Sequence, residues 1–198
     1  MQNKKEIRGI SKEIRASDSD GTCTIAGYAA VFDSKSENLG GFVEEIARDA
    51  FANADFSECR ALFNHDNNYV MASVKGGTLK LEVDERGLKY EFEVPGEGFF
   101  FDTVYSPIQR GDIDQSSFAF TLNWEEKGDH WENEDGIVKR TILNIDKVYD
   151  ISPVTYPAYQ DTTVDARALD KVKEFEPKED RGGELELLTE ETELLRLQ

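Results

Sequence analysis

Cysteine, histidine and basic side chains are all scarce in this 198-residue chain, and each scarcity excludes something. There are two cysteines, Cys23 and Cys59. Their separation fits no metal-ligand spacing, and two thiols make no disulfide framework, so a reduced, intracellular protein is expected. Lysine and arginine number 23 against 41 aspartates and glutamates, a formal net charge of −18. Such a surface repels nucleic-acid phosphates and anionic membranes, so neither is an expected partner. No apolar run is long enough to span a bilayer. Met1-Gln2-Asn3-Lys4-Lys5-Glu6 lacks the apolar core of a signal peptide, so secretion is not expected.

What is present suffices for a core. Hydrophobic residues make up 38% of the chain and aromatic residues 11%, enough for one domain of ordinary size with extensions. Composition then divides the chain. Residues 1–163 read as a compact domain. Residues 164–198 are dominated by charge, nearly free of aromatics and interrupted by Pro177 and Gly182-Gly183. They read as an acidic tail, weakly folded alone, with Leu185, Leu188 and Leu195 suited to a short amphipathic helix. No internal repeat is visible.

Period-two patterns predominate, which points to strands. Residues 1–20 predict one strand and a loop ending at Asp18-Ser19-Asp20-Gly21. Thr22 to Phe32 predict a central strand, apolar on both faces, with Gly27 marking a bend or a close backbone approach. Arg60-Ala61-Leu62-Phe63 predicts a short strand that delivers Asn64, His65 and Asp66 to its end, before a turn at Asn67-Asn68. Leu79, Leu81 and Val83, then Leu88, Tyr90, Phe92 and Val94, alternate with polar residues on either side of Asp84-Glu85-Arg86-Gly87, a hairpin. Glu125 to Gly136 reads as a polar turn holding His130, and Val138 to Ile145 and Val148 to Thr155 as strands. Two helices are expected. Val43, Ile46, Ala47, Ala50, Phe51 and Ala54 recur at helical spacing over about 43–54, with Glu44 and Glu45 at the positive end of the dipole. Residues of about 98–110 predict the other, although Pro107 sits inside it. The class is mostly β with a few helices, α+β.

One strand carries candidate chemistry. Phe118, Phe120, Leu122 and Trp124 alternate with Ser117, Ala119, Thr121 and Asn123. One face is large and apolar, and the other is small and polar with a serine at its start. A nucleophilic serine needs a rigid element, an exposed hydroxyl and small neighbours. An ordinary strand with a hydroxyl on its outer face has the same pattern. The hydroxyl is a poor nucleophile at neutral pH and needs a base, and the base needs an orienting group. Two histidines are available. His65, at a strand end, is the better base than His130 in a charged turn. Asp150 is a candidate orienter, with Asp66 its rival. The order His65, Ser117, Asp150 matches none of the chymotrypsin, subtilisin or α/β-hydrolase orders.

Four segments occur in order: Ile25 to Asp33, Leu62-Phe63-Asn64-His65-Asp66, Ser117-Phe118-Ala119-Phe120, and Asp150 to Tyr159. Together, and with Gly76-Gly77-Thr78-Leu79 and Arg86-Gly87-Leu88, they resemble the HK97-type prohead proteases of tailed bacteriophages over roughly residues 8–163. The resemblance implies a serine endopeptidase fold related to herpesvirus assemblins, a closed β-barrel of about seven strands wrapped by a few helices. It implies His65 as general base, Ser117 as nucleophile and Asp150 as the acidic third member, with no cofactor and no metal. It further implies cleavage of the capsid scaffold, or the scaffold segment of the major capsid protein, and of the protease itself. The place implied is the prohead in the bacterial host cytoplasm, and a homodimer is one oligomeric state open to such an enzyme.

The chain departs from that pattern at three places. Ala119 stands where glycine is common, Ser116 where an apolar residue is usual, and Pro107 is unexpected. Ser116 is a rival nucleophile, but alternation puts it on the apolar face. The oxyanion hole is not located, since Pro157-Ala158-Tyr159 follows the last catalytic strand and no arginine occurs until Arg167. Two other readings compete: a non-enzymatic assembly or scaffolding protein on the same fold, and a metal hydrolase using His65, Asp66 and His130.

Overall fold

The computed structural model describes residues 4–11, 14–19, 21–156 and 166–175. Twelve strands follow in order: β1 (Glu6–Ser11), β2 (Ile14–Ser19), β3 (Thr22–Val31), β4 (Phe42–Ile46), β5 (Arg60–Phe63), β6 (Asp66–Ser73), β7 (Leu79–Val83), β8 (Gly87–Val94), β9 (Gln115–Leu122), β10 (Asp129–Glu134), β11 (Ile137–Ile142) and β12 (Ile145–Val154). A π-helical turn, Phe101–Tyr105, runs into α1 (Ser106–Arg110), and α2 spans Ala166–Phe175. The expected mostly-β class holds. The strands are hydrogen-bonded as three sheets, β1-β9-β12-β5-β6, β2-β3-β8-β7 and β10-β11-β4. No sheet closes into a barrel among the described residues.

One core joins the three sheets. Phe118, Phe120 and Ile151 come from the first, Ile25, Leu88 and Phe92 from the second, and Ile46 and Ile142 from the third. β3 is central, between β2 and β8, as its two apolar faces require. The β7–β8 hairpin also forms as expected, with Val83 opposite Leu88. Asp84 closes its loop by accepting the backbone N–H groups of Arg86 and Gly87. Gly87 has no room for a side chain, because a Cβ there would lie 2.0 Å from the Ala30 carbonyl oxygen.

Several expectations are corrected. Residues 42–46 form β4, and turns follow it. Burial alternates along β4, with Phe42, Glu44 and Ile46 facing in. Parallel pairing with β11 and burial of Glu44 override the helical spacing. The first twenty residues hold two strands, not one. Asn67 and Asn68 lie within β6, and the turn falls three residues earlier, at Asn64-His65. His130 lies in β10, and its hairpin turns at Asp135-Gly136, both with positive φ. The expected helix near 98–110 does form, and Pro107 sits in the first turn of α1, where its missing N–H is least needed. α2 falls inside the stretch read as an acidic tail. Its Val172 and Phe175 pack on Phe42 and Val138. The leucine-rich end beyond it lies outside the described residues.

A buried ion cluster fixes β1 to the third sheet. Arg8 donates to Glu44 Oε1 at 2.6 Å and to Glu6 Oε2 at 2.7 Å. Arg140 donates to Glu6, Glu44 and Asp129 at 2.7–2.9 Å. Burial pushes the Glu6 carboxyl up, but the Arg140 and Arg8 guanidinium groups outweigh it and hold Glu6 below its ordinary value. Such a cluster specifies an arrangement more than it stabilises one, yet removing one partner leaves buried charge uncompensated. Arg140→Met is therefore expected to cost about 3–5 kcal/mol, a fall in Tm of roughly 10 °C for a chain of this size. Thermal unfolding of the variant checks this, and a change within 2 °C or so would show that the cluster is not a constraint on the fold.

Candidate active site

β9 is flanked on both sides, by β1 and β12. Ser117 lies opposite Gly9 on one neighbour and Ser152 on the other, and Asp150 lies opposite Ala119. Partners across a ladder share a face. Ser117, Ala119, Asp150 and Ser152 therefore line one side of the sheet, while Phe118, Phe120 and Ile151 line the other. Ser116 falls on the second side. Its hydroxyl is buried and 2.6 Å from the Tyr90 hydroxyl. Burial pushes the Tyr90 phenol well above its ordinary value, so this is a neutral, structural pair.

His65 is placed by a strained turn. Phe63 pairs with Asp66, leaving Asn64-His65 as a two-residue loop between β5 and β6. Both residues are left-handed, with φ of 53° and 59°. A type I′ turn requires this, and asparagine accepts it readily, but at the second position glycine is the usual choice. A histidine there costs on the order of 1–3 kcal/mol. Contacts to the end of β12 hold it. The Asn64 side chain donates to Thr155 Oγ1 at 3.1 Å and accepts the Thr155 N–H at 2.9 Å. The Asn64 N–H donates to the Pro153 carbonyl, and the His65 N–H to Ser152 Oγ at 3.3 Å. β12 thus positions both the acid and the turn that carries the imidazole.

The ring bridges two side chains. Nδ1 lies 2.5 Å from Asp150 Oδ1, and Nε2 lies 2.6 Å from Ser117 Oγ. Asp150 Oδ1 also accepts the Ser152 hydroxyl at 3.1 Å, and Oδ2 accepts Lys5 Nζ at 2.8 Å. Burial pushes the Asp150 carboxyl up, but the hydrogen bonds and charges of His65 and Lys5 more than offset it, so the acid stays ionised at neutral pH. The Ser117 hydroxyl has a second acceptor, the Arg8 carbonyl, at 2.9 Å. With a neutral ring protonated on Nδ1, Ser117 donates to Nε2. With a doubly protonated ring, Nε2 donates to Ser117 and the hydroxyl proton turns to Arg8.

Other candidates stand apart. Asp66 accepts the backbone and side-chain N–H groups of Asn68 and shapes the start of β6. His130 is exposed in β10, 3.9 Å from Glu132. No group of three or more His, Cys, Asp or Glu side chains among the described residues is arranged to hold a metal ion. Cys59 is buried, and burial with the Asp150 charge pushes its thiol up to about 12, so it is not a thiolate nucleophile. Ser117 itself differs from expectation in exposure. It is 0% accessible, with the His65 ring and the Arg8 carbonyl against its hydroxyl, while the His65 side chain keeps 13% exposure. Three contacts were not foreseen: Ser152, Lys5 and the Arg8 carbonyl. Ser152 had a signal, since period two puts it on the Asp150 face, but the other two come from β1 and its approach, which carry none.

A family model described as caudovirus prohead serine protease matches residues 11–176. The chain belongs to that family. It is a serine peptidase of capsid maturation, and its family places it inside the phage prohead in the host cell, with capsid protein as substrate. No curated protein and no solved structure matches the chain. No helix among the described residues is long and apolar enough to cross a membrane.

The protease should show the Asp150 contact in its acid stability. The folded carboxyl sits below its ordinary value of 3.8, so the unfolded chain binds this proton more tightly. The contribution is complete above the unfolded value and is lost as pH falls through the lowered folded value. The stability gap between the wild type and Asp150→Asn is therefore expected to shrink as pH falls below about 4. Urea unfolding at stepped pH measures it, and a gap that stays constant down to pH 2 or so would contradict the assignment.

Proposed function

We propose that this protease cleaves peptide bonds with Ser117 as nucleophile, His65 as general base and Asp150 as the acid that orients and stabilises the imidazole. One observation carries this: the His65 ring spans 2.6 Å to Ser117 and 2.5 Å to Asp150 through its two different nitrogens. Nε2 takes the hydroxyl proton as Oγ attacks the carbonyl carbon. The imidazolium that forms is stabilised by ionised Asp150 and returns its proton to the leaving amine. Water then hydrolyses the acyl-enzyme with His65 again as base. Because Ser117 is fully covered, a substrate has to displace part of that cover to reach Oγ.

The substrates proposed are the capsid scaffold, or the scaffold segment of the major capsid protein, and the protease itself. The domain over residues 1–163, on which α2 packs, would do the chemistry. The acidic residues 164–198 would direct the enzyme to a basic or amphipathic surface of its substrate, by charge complementarity. A scaffolding protein without activity would have no need of an ionised, buried acid beside a histidine and a serine.

Co-expression with the phage's major capsid protein, followed by mass analysis of both chains, tests the reading. Ser117→Ala and His65→Ala should abolish cleavage of both chains. Asp150→Asn should slow it by about 10⁴-fold through the wrong tautomer. Ser116→Ala should still cleave, at a cost of about 1–3 kcal/mol in stability from the unpaired Tyr90 hydroxyl. Cleavage that survives Ser117→Ala but not Ser116→Ala would reverse the assignment.

A further inference from the structure

We propose that Lys5 is a positioning residue of the active site, acting through Asp150; this rests on the His65–Asp150–Ser117 reading above. Lys5 Nζ lies 2.8 Å from Asp150 Oδ2, the carboxylate oxygen that faces away from the imidazole. The Asp150 side chain is only 2% exposed, while that of Lys5 is 41% exposed. The lysine therefore reaches in from the surface to a carboxylate that has little water. Its ammonium is held a second way, 5.3 Å from the centre of the Tyr149 ring.

The contacts divide the carboxylate between two tasks. Oδ1 receives the His65 N–H and the Ser152 hydroxyl. Oδ2 receives Lys5. With both oxygens engaged, the carboxylate plane is fixed, and with it the ring that Oδ1 holds. The remaining groups near Asp150 do not take over this role. Cys59 is a neutral thiol. Arg60, opposite Asp150 on β5, is exposed and donates to the Glu58 carbonyl. Lys147 is engaged by Asp55 and Glu58. Among the described residues, Lys5 is thus the lysine whose ammonium contacts the acid.

The charge has a direction of effect. The form that can accept the serine proton is the one in which Asp150 is ionised and His65 carries no extra proton. A neighbouring cation disfavours uptake of that proton, whichever partner receives it. Removing the cation lets the pair take up a proton at higher pH, so the active fraction falls on the acid side. Backbone contacts of β1 add a second link to the same site, since the Arg8 carbonyl lies 2.9 Å from Ser117 Oγ.

A fluorophosphonate probe, which reports nucleophile activation without a known substrate, provides the test. Its rate of labelling of the full-length protein is measured against pH for wild type, Lys5→Met, Lys5→Arg and Asp150→Asn. Lys5→Met keeps the aliphatic stem and removes the charge. Labelling on the acidic limb of its profile is expected to be slower by about tenfold, while the plateau at higher pH keeps the wild-type rate. Lys5→Arg should keep the wild-type limb. Lys5→Gln, with a thermal melt for each variant, guards against a folding defect peculiar to methionine. A wild-type limb in Lys5→Met beside an impaired Asp150→Asn would overturn the role of Lys5 and leave the triad standing. Wild-type labelling in both would overturn the triad and this proposal together. A shifted limb in Lys5→Arg as well would show that charge is not the cause.

Discussion

The hydrogen bond between His65 and Asp150 is the contact on which the rest of the structure depends. A carboxylate buried to this degree is stable only if its charge is paired and its oxygens are occupied. Asp150 meets that condition through His65, Ser152 and Lys5. The arrangement fixes three separate parts of the chain against β12: the Asn64-His65 turn, the approach to β1, and β9 with its serine. The turn would be costly by itself, with a histidine in the left-handed region. Its hydrogen bonds to Ser152, Pro153 and Thr155 offset that cost. Strain is thus placed where it aims a side chain, and it is held by the strand that also supplies the acid.

Much of this was legible in the chain, and the limits have physical causes. The serine strand and the β7–β8 hairpin follow from period two and turn chemistry, which are local. His65, Ser117 and Asp150 were each singled out from local patterns, but their meeting is a property of topology. β9, β12 and β5 become neighbours only when the sheet is assembled, and a resemblance supplied that information before the geometry did. The helix expected over 43–54 failed for a related reason. Val43, Ile46, Ala47, Ala50 and Phe51 satisfy a helical spacing, yet Glu44 is buried by Arg8 and Arg140, residues that lie 36 and 96 positions away. No window of the sequence contains that pairing. Lys5 was invisible for the opposite reason. A lysine near the start of a charged segment has no local signature, and its role is created entirely by where β1 lies.

Arg8 joins the two charged regions of the molecule. Its guanidinium belongs to the ion cluster on the apolar side of the first sheet, where it holds Glu6 and Glu44. Its carbonyl lies in the plane of the same sheet and accepts the Ser117 hydroxyl. Displacing β1 therefore changes two things together. It separates the buried charges that attach β1 to β4 and β11, which is costly. It also removes the second acceptor of the serine proton, leaving His65 Nε2 as its remaining partner. In the mechanism proposed for this site, Ser117 donating to the imidazole is the form from which attack begins. The charge network on the far face of the sheet and the Ser117 hydroxyl are thus joined through one strand and one backbone carbonyl.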